Sequence, residues 1–132
     1  MPEDKISIFY LEDNALVKNA MTRSLKRIST EVIAPTSPEE LTQVLEGVNE
    51  QVKLAILDVN LDTDAWADQA TLSAEYIPAI RRSFPNATLV LFTGANHEDL
   101  SHPEYVGLPL FEKPVIDIRA FRTELLRLAS EA

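Results

Sequence analysis

Between Lys53 and Leu57, and again between Ala87 and Phe92, the chain is apolar almost without interruption. A strand with one wet face alternates apolar and polar residues. A run without that alternation must be covered on both faces, as strands of parallel sheets are. Three more short runs read as strands: Ile6 to Leu11, Glu31 to Ala34 and Leu108 to Phe111. Helical spacing fills the gaps. Asp13 can cap a helix from Asn14 to Ile28, in which Val17, Met21, Leu25 and Ile28 recur at intervals of three and four. Ser37-Pro38-Glu39-Glu40 is a second helix start, with a Ser cap, Pro in the first turn and an acid three residues after the cap. It leads into Leu41, Val44 and Leu45 and fades near Gly47. Further helices are expected from Ser73 to Phe84 and from Val115 to Ala129, the last with Ile118, Phe121, Leu125 and Leu128 on its inner face. Strand and helix thus alternate five times. The expected fold is α/β, a doubly wound five-stranded parallel sheet. Residues 1–132 form one domain on this reading, since 132 residues suffice for one core and no linker or repeat divides them.

Composition narrows the function. The net charge of −9 repels phosphate backbones, so direct nucleic-acid binding is not expected. There is no cysteine, which excludes disulfides and thiolate metal sites. No apolar run approaches the ~20 residues that span a bilayer, and the first residues do not read as a signal peptide, so no membrane association and a cytoplasmic location are expected.

In open parallel sheets the functional crevice lies outside the carboxyl ends of the strands. The residues there are Glu12-Asp13 after the first strand, Asp58 after the third, Thr93 after the fourth and Glu112-Lys113-Pro114 after the fifth. Taken singly they are unremarkable in chemistry: Asp13 a helix cap, Asp58 a solvated strand-end acid, Lys113-Pro114 a loop. Together they bring carboxylates, a hydroxyl and an ammonium to one rim. Such a hard oxygen set suits Mg²⁺. A carboxylate beside the metal can attack phosphorus, and an ammonium and a hydroxyl can hold the transferred oxygens.

This pattern resembles the response-regulator receiver family, with its flavodoxin-like, CheY-like (βα)5 fold. The matching residues are Glu12-Asp13, Asp58 within Leu57-Asp58-Val59-Asn60-Leu61, Thr93-Gly94 and Lys113-Pro114. The resemblance implies that Asp58 is the phosphoacceptor of a two-component or phosphorelay system. Glu12, Asp13, Asp58 and the backbone carbonyl of Asn60 would hold Mg²⁺. Lys113 and Thr93 would contact the phosphoryl group, Gly94 would leave room for it, and Pro114 would follow a cis peptide bond. The implied partners are a histidine kinase or histidine phosphotransfer protein and a downstream protein. The chain would be a phosphoacceptor and not an enzyme. The other readings are a receiver-like interaction module whose output needs no phosphate, and an aspartate-nucleophile phosphatase. The order of the acids, with the nucleophile on the third strand, argues against the phosphatase. No output domain follows the last helix in this sequence, so the chain is expected to act through a protein partner or as part of a longer one.

Three features depart from the family pattern. About seven extra residues precede the third helix, in a stretch from Asp62 to Leu72 that includes Trp66, and long loops near a site tend to be functional. Trp66 is expected to be a partly packed loop anchor that a partner could reach when the loop moves. At the position three before the lysine, where the family carries Tyr or Phe, stands Leu110, expected to pack inward, with Phe111 beside it. Finally, the stretch from Asn96 to Gly107 is short and contains Pro103, so the fourth helix is expected to be a single turn or irregular.

Overall fold

A computed structural model describes residues 6–61, 66, 71–94, 99–113 and 117–130. Five strands, β1 (Ile6–Leu11), β2 (Ser29–Ile33), β3 (Val52–Leu57), β6 (Thr88–Thr93) and β7 (Leu110–Glu112), form one sheet in the order β2-β1-β3-β6-β7. Every pairing in it is parallel. Helices α1 (Ala15–Leu25), α2 (Pro38–Leu45), α3 (Ile77–Ser83) and α4 (Ile118–Ser130) connect or follow the strands. The doubly wound parallel sheet expected from the apolar runs is therefore the fold.

Alternation along the strands divides the core in two. Phe9, Leu11, Ala55, Leu57, Leu89 and Leu91 face one side, where Leu41 and Leu45 of α2 and Ile77 and Ile80 of α3 cover them. Ile8, Tyr10, Leu54, Ile56, Val90 and Phe92 face the other, under Met21 and Leu25 of α1 and Phe121, Leu125 and Ala129 of α4. Each of the larger aliphatic and phenylalanine side chains stabilises the fold by roughly 1.5–3 kcal/mol on full burial, before the entropy of ordering it.

Local chemistry sets the helix ends. Ser37 accepts from the Glu40 N–H, as its sequence suggests. At α1 the cap is Asn14 and not Asp13: Asn14 Oδ1 accepts from the Val17 N–H at 3.1 Å. Asp13 is released from the helix and lies buried at the strand end. The third helix also starts later than its pattern implies. Ser73–Tyr76 is a 3-10 turn, and Pro78 then sits in the first turn of α3, where a missing N–H breaks no helical bond.

Between Asp58 and α3 the chain makes a two-stranded antiparallel ribbon, β4 (Asn60–Leu61) against β5 (Thr71–Leu72). Residues 62–65 and 67–70, with Asp62, Asp64 and Asp68, lie outside the described residues. Trp66 corrects the expectation of a partly packed anchor. It is 1% exposed, inside the core beside Leu61 and edge-on to Tyr76 at 6.4 Å. Between β6 and β7 there are two 3-10 turns, Asp99–Ser101 and Pro103–Tyr105, and no α-helix among the described residues. Leu110 is the other correction. It is 45% exposed, while Phe111 packs edge-on against Phe121 at 5.0 Å. β7 is an edge strand, and Leu110 pairs in register with Leu91 on the side covered by those short turns instead of a helix. Among the described residues no helix is long and apolar enough to cross a membrane.

Candidate functional site

The strand order reverses between β1 and β3, the point at which a crevice opens in a doubly wound sheet. Leu11 and Leu57 are paired there, and the Asp58 N–H donates to the Leu11 carbonyl at 2.8 Å. This bond extends the ladder by one residue and brings the acids that follow the two strands together. Glu12, Asp13 and Asp58 are all buried, and each places a carboxylate oxygen within 4.8 Å of the others.

Lys113 reaches this cluster from the end of β7. Its Nζ donates to Glu12 Oε1 at 2.6 Å and to Asp58 Oδ2 at 3.0 Å. Its backbone N–H donates to the Thr93 carbonyl at 3.2 Å, and its ammonium lies 5.4 Å from the centre of the Phe92 ring. The other oxygen of the phosphoacceptor candidate, Asp58 Oδ1, accepts from the Val59 N–H at 2.8 Å. Thr93 is buried at the end of β6. Gly94 is exposed, and among the described residues no heavy atom lies within 4 Å of where a Cβ would stand on it. Asn60 is half-buried at the start of β4, two residues from Asp58. Pro114 and its peptide bond lie outside the described residues.

The site is thus assembled from Glu12, Asp13, Asp58 and Lys113, with Thr93 beside it. Leu110 and Trp66 have no part in its inner surface. Sequence reading missed Tyr10, whose hydroxyl donates to Glu12 Oε1 at 3.4 Å from within the core. Strand alternation was a usable signal, because residue 12, the first past β1, continues the period of two that residue 10 belongs to.

Two of the three buried carboxylates, Glu12 and Asp58, share the Lys113 ammonium, and their electrostatics show the crowding. Burial, then the neighbouring Asp58, push the Glu12 carboxyl up from 4.5 to about 8, against the pull of Lys113. Burial also raises Asp58, opposed by its hydrogen bond with Glu12 and the charge of Lys113. Burial works against the Lys113 ammonium, but Asp58 and Glu12 outweigh it and hold its pKa above the usual value. Burial and the Glu12 carboxylate push the Tyr10 phenol far up, so it remains a donor. A cluster that binds protons this tightly also fits a divalent cation, and its all-oxygen donors suit Mg²⁺ or Ca²⁺.

No protein-family model and no curated protein matches the chain. Solved structures do. The N-terminal signal receiver domain of a two-component system response regulator from Bacteroides fragilis superposes with a TM-score of 0.70 and 28% identity, over 97% of this chain and 99% of that one. A CheY-like receiver domain protein from Methanospirillum hungatei gives 0.71 at 22% identity, over 96% and 95%. A response regulator from Burkholderia pseudomallei, solved with a phosphorylated aspartic acid, a calcium ion and citrate, gives 0.68 at 19%, over 96% and 70%. The chain has the fold of response-regulator receiver domains. The likeness first carried by Glu12-Asp13, Asp58, Thr93-Gly94 and Lys113 extends over nearly its whole length.

Proposed function

We propose that the chain is a phosphorylation-dependent switch in which Asp58 accepts a phosphoryl group. The observation that carries this reading is the bonding of Asp58: Oδ1 is tied to the Val59 N–H, while Oδ2 faces the Lys113 ammonium at 3.0 Å. Oδ2 would be the oxygen that attacks. A bond from it to phosphorus forms as the bond from phosphorus to the donor breaks, and the donor leaves with the electron pair. Lys113 would offset charge on the transferred oxygens, and the Thr93 hydroxyl would donate a hydrogen bond to them. Glu12, Asp13, Asp58 and the Asn60 carbonyl would hold Mg²⁺, which when bound neutralises charge on the phosphoryl oxygens. Lys113 is shared between Glu12 and Asp58, so its pairing with Glu12 would keep the ammonium beside Asp58 before and after loading.

On this reading the protein is a phosphoacceptor that assists its own phosphorylation and dephosphorylation, and not an enzyme that turns over a separate substrate. The donor is a phosphohistidine on a kinase or phosphotransfer protein, the output is a protein partner, and the setting is the cytoplasm. The test is labelling by acetyl phosphate with Mg²⁺, read by intact mass. We expect one phosphoryl group per chain and none on Asp58→Asn. Labelling of Asp58→Asn, or labelling of the native chain in excess chelator, would overturn the assignment.

A further inference from the structure

Tyr105 belongs to the turn between β6 and β7, yet its hydroxyl is buried beneath the segment that follows Asp58. It lies 2.8 Å from Ser73 Oγ, accepts from the Ala74 N–H at 2.9 Å and donates to the Val59 carbonyl at 3.4 Å. The same Val59 carbonyl accepts from the Ser73 N–H at 2.8 Å, and the Val59 N–H holds Asp58 Oδ1 at 2.8 Å. One residue therefore carries the phosphoacceptor on its amide side and the Tyr105–Ser73 pair on its carbonyl side. At position 110, in contrast, there is no hydroxyl and no aromatic ring, and the side chain is turned half out of the protein.

We infer that Tyr105 is a positioning residue that couples the load on Asp58 to the arrangement of residues 99–110. The inference rests on Asp58 being the phosphoacceptor. When Oδ2 bonds to phosphorus, Oδ1 changes from a carboxylate oxygen to the carbonyl oxygen of an acyl phosphate. A hydrogen bond to an ionised acceptor is roughly twice as strong as one to a neutral acceptor. The pull of Asp58 on the Val59 amide therefore differs between the free and loaded states, and that difference is what a two-state element requires. Val59 is fixed on its far side by Ser73 and Tyr105, so a shift of its peptide alters the hydrogen bonds at the Tyr105 hydroxyl. Tyr105 packs in the core with Leu61, Trp66 and Ala74, and its chain neighbour Val106 is exposed. A change at the hydroxyl thus reaches the surface within one residue. Coupling is reciprocal, so whatever holds residues 99–110 in the loaded arrangement also favours loading of Asp58.

The test is backbone hydrogen exchange with and without beryllofluoride and Mg²⁺, with loading followed separately by the fluorine signal of the bound group. In the native chain, loading should change exchange across 99–110 by several-fold. Tyr105→Phe keeps the ring and removes the hydroxyl. It should still load, should speed exchange at the Ala74 amide, and should lose most of the response in 99–110. Ser73→Ala should lose part of it and provides the same test if Tyr105→Phe does not fold. A full response in Tyr105→Phe, or a loaded native chain with unchanged exchange in 99–110, would overturn the coupling. Absence of a bound fluorine signal in the native chain would instead overturn the phosphoacceptor reading, and the coupling with it.

Discussion

The Lys113 ammonium is nearer to Glu12 than to Asp58, at 2.6 Å against 3.0 Å. The closer partner is the more deeply buried of the two carboxylates, with no exposed side-chain surface. Lys113 therefore offsets the charge of both buried carboxylates, Glu12 first. Removing one partner of a buried pair leaves the other uncompensated, at a cost of about 3–5 kcal/mol. Glu12 can escape that cost by taking a proton, which it does up to about pH 8 even with Lys113 present. Lys113→Met should therefore destabilise the metal-free protein by a few kcal/mol at pH 9 and by much less at pH 5.5. Urea unfolding at the two pH values measures this. Equal losses at both would mean that the lysine acts by packing alone.

Asp13 and Asn14 are neighbours with separate work. Asn14 caps α1, and Asn14→Ala should lower stability by about 1 kcal/mol with or without metal. Asp13 sits with two other carboxylates and is not the cap. Its removal relieves like-charge repulsion, so Asp13→Ala should leave the metal-free melting temperature unchanged or raise it. The same variant should lose most Mg²⁺ affinity, and more than Glu12→Ala does. Thermal melts with and without millimolar Mg²⁺ separate these effects, and a destabilised metal-free Asp13→Ala would contradict them.

Stability should depend on pH through Glu12. Its carboxyl titrates near 4.5 when free and near 8 in the fold, so between those values the folded state binds more protons than the unfolded chain. Stability then falls as pH rises across that window and levels off above it. Mg²⁺ requires the ionised carboxylates, so its stabilisation should grow over the same window. At a hundredfold excess over Kd it amounts to about 2.7 kcal/mol. Melting curves from pH 5 to pH 9 test both slopes. Glu12→Gln should flatten the metal-free one.

The sequence disclosed the sheet and the site for a shared reason. Strands buried on both faces leave apolar runs such as Leu54 to Leu57, and the crevice lies where those runs end, at Glu12, Asp58, Thr93 and Lys113. What it hid depends on choices between adjacent residues or on contacts far apart in the chain. Asp13 and Asn14 are equally good caps by type, and only the fold decides which side chain turns to the helix. Leu110 and Phe111 are both apolar, and the register of an edge strand decides which is covered. β4 and β5 have two residues each, too few for any periodicity to register. The bonds from Tyr105 to Ser73 and Val59 join residues that have no pattern in common.

Trp66 shows the same limit. A lone tryptophan among acids and small residues reads as a partly packed loop anchor, but it is enclosed with Leu61 and Tyr76. Trp66→Ala should therefore cost about 3–5 kcal/mol, the range for deleting a large buried aromatic. Chemical unfolding of the variant gives the value. A loss below about 1 kcal/mol would return Trp66 to the partly packed position suggested by its neighbours in sequence.

At the edge of the sheet, Leu110 and Phe111 should respond in opposite ways. Leu110 is half exposed, so Leu110→Ser should cost only about 1 kcal/mol, roughly half the value of a fully buried leucine. Phe111 packs against Phe121, which in turn lies 5.5 Å from Phe92, the ring beneath the Lys113 ammonium. Phe111→Ala should cost about 2–4 kcal/mol through the cavity it opens. Because that cavity adjoins the ring under Lys113, the variant should also lower the rate of labelling by acetyl phosphate, while Leu110→Ser should label at the native rate. Labelling rates and unfolding curves on the two variants decide the register. If Leu110→Ser proved the costlier change, β7 would have to be turned over by one residue, placing Leu110 inside and Phe111 out.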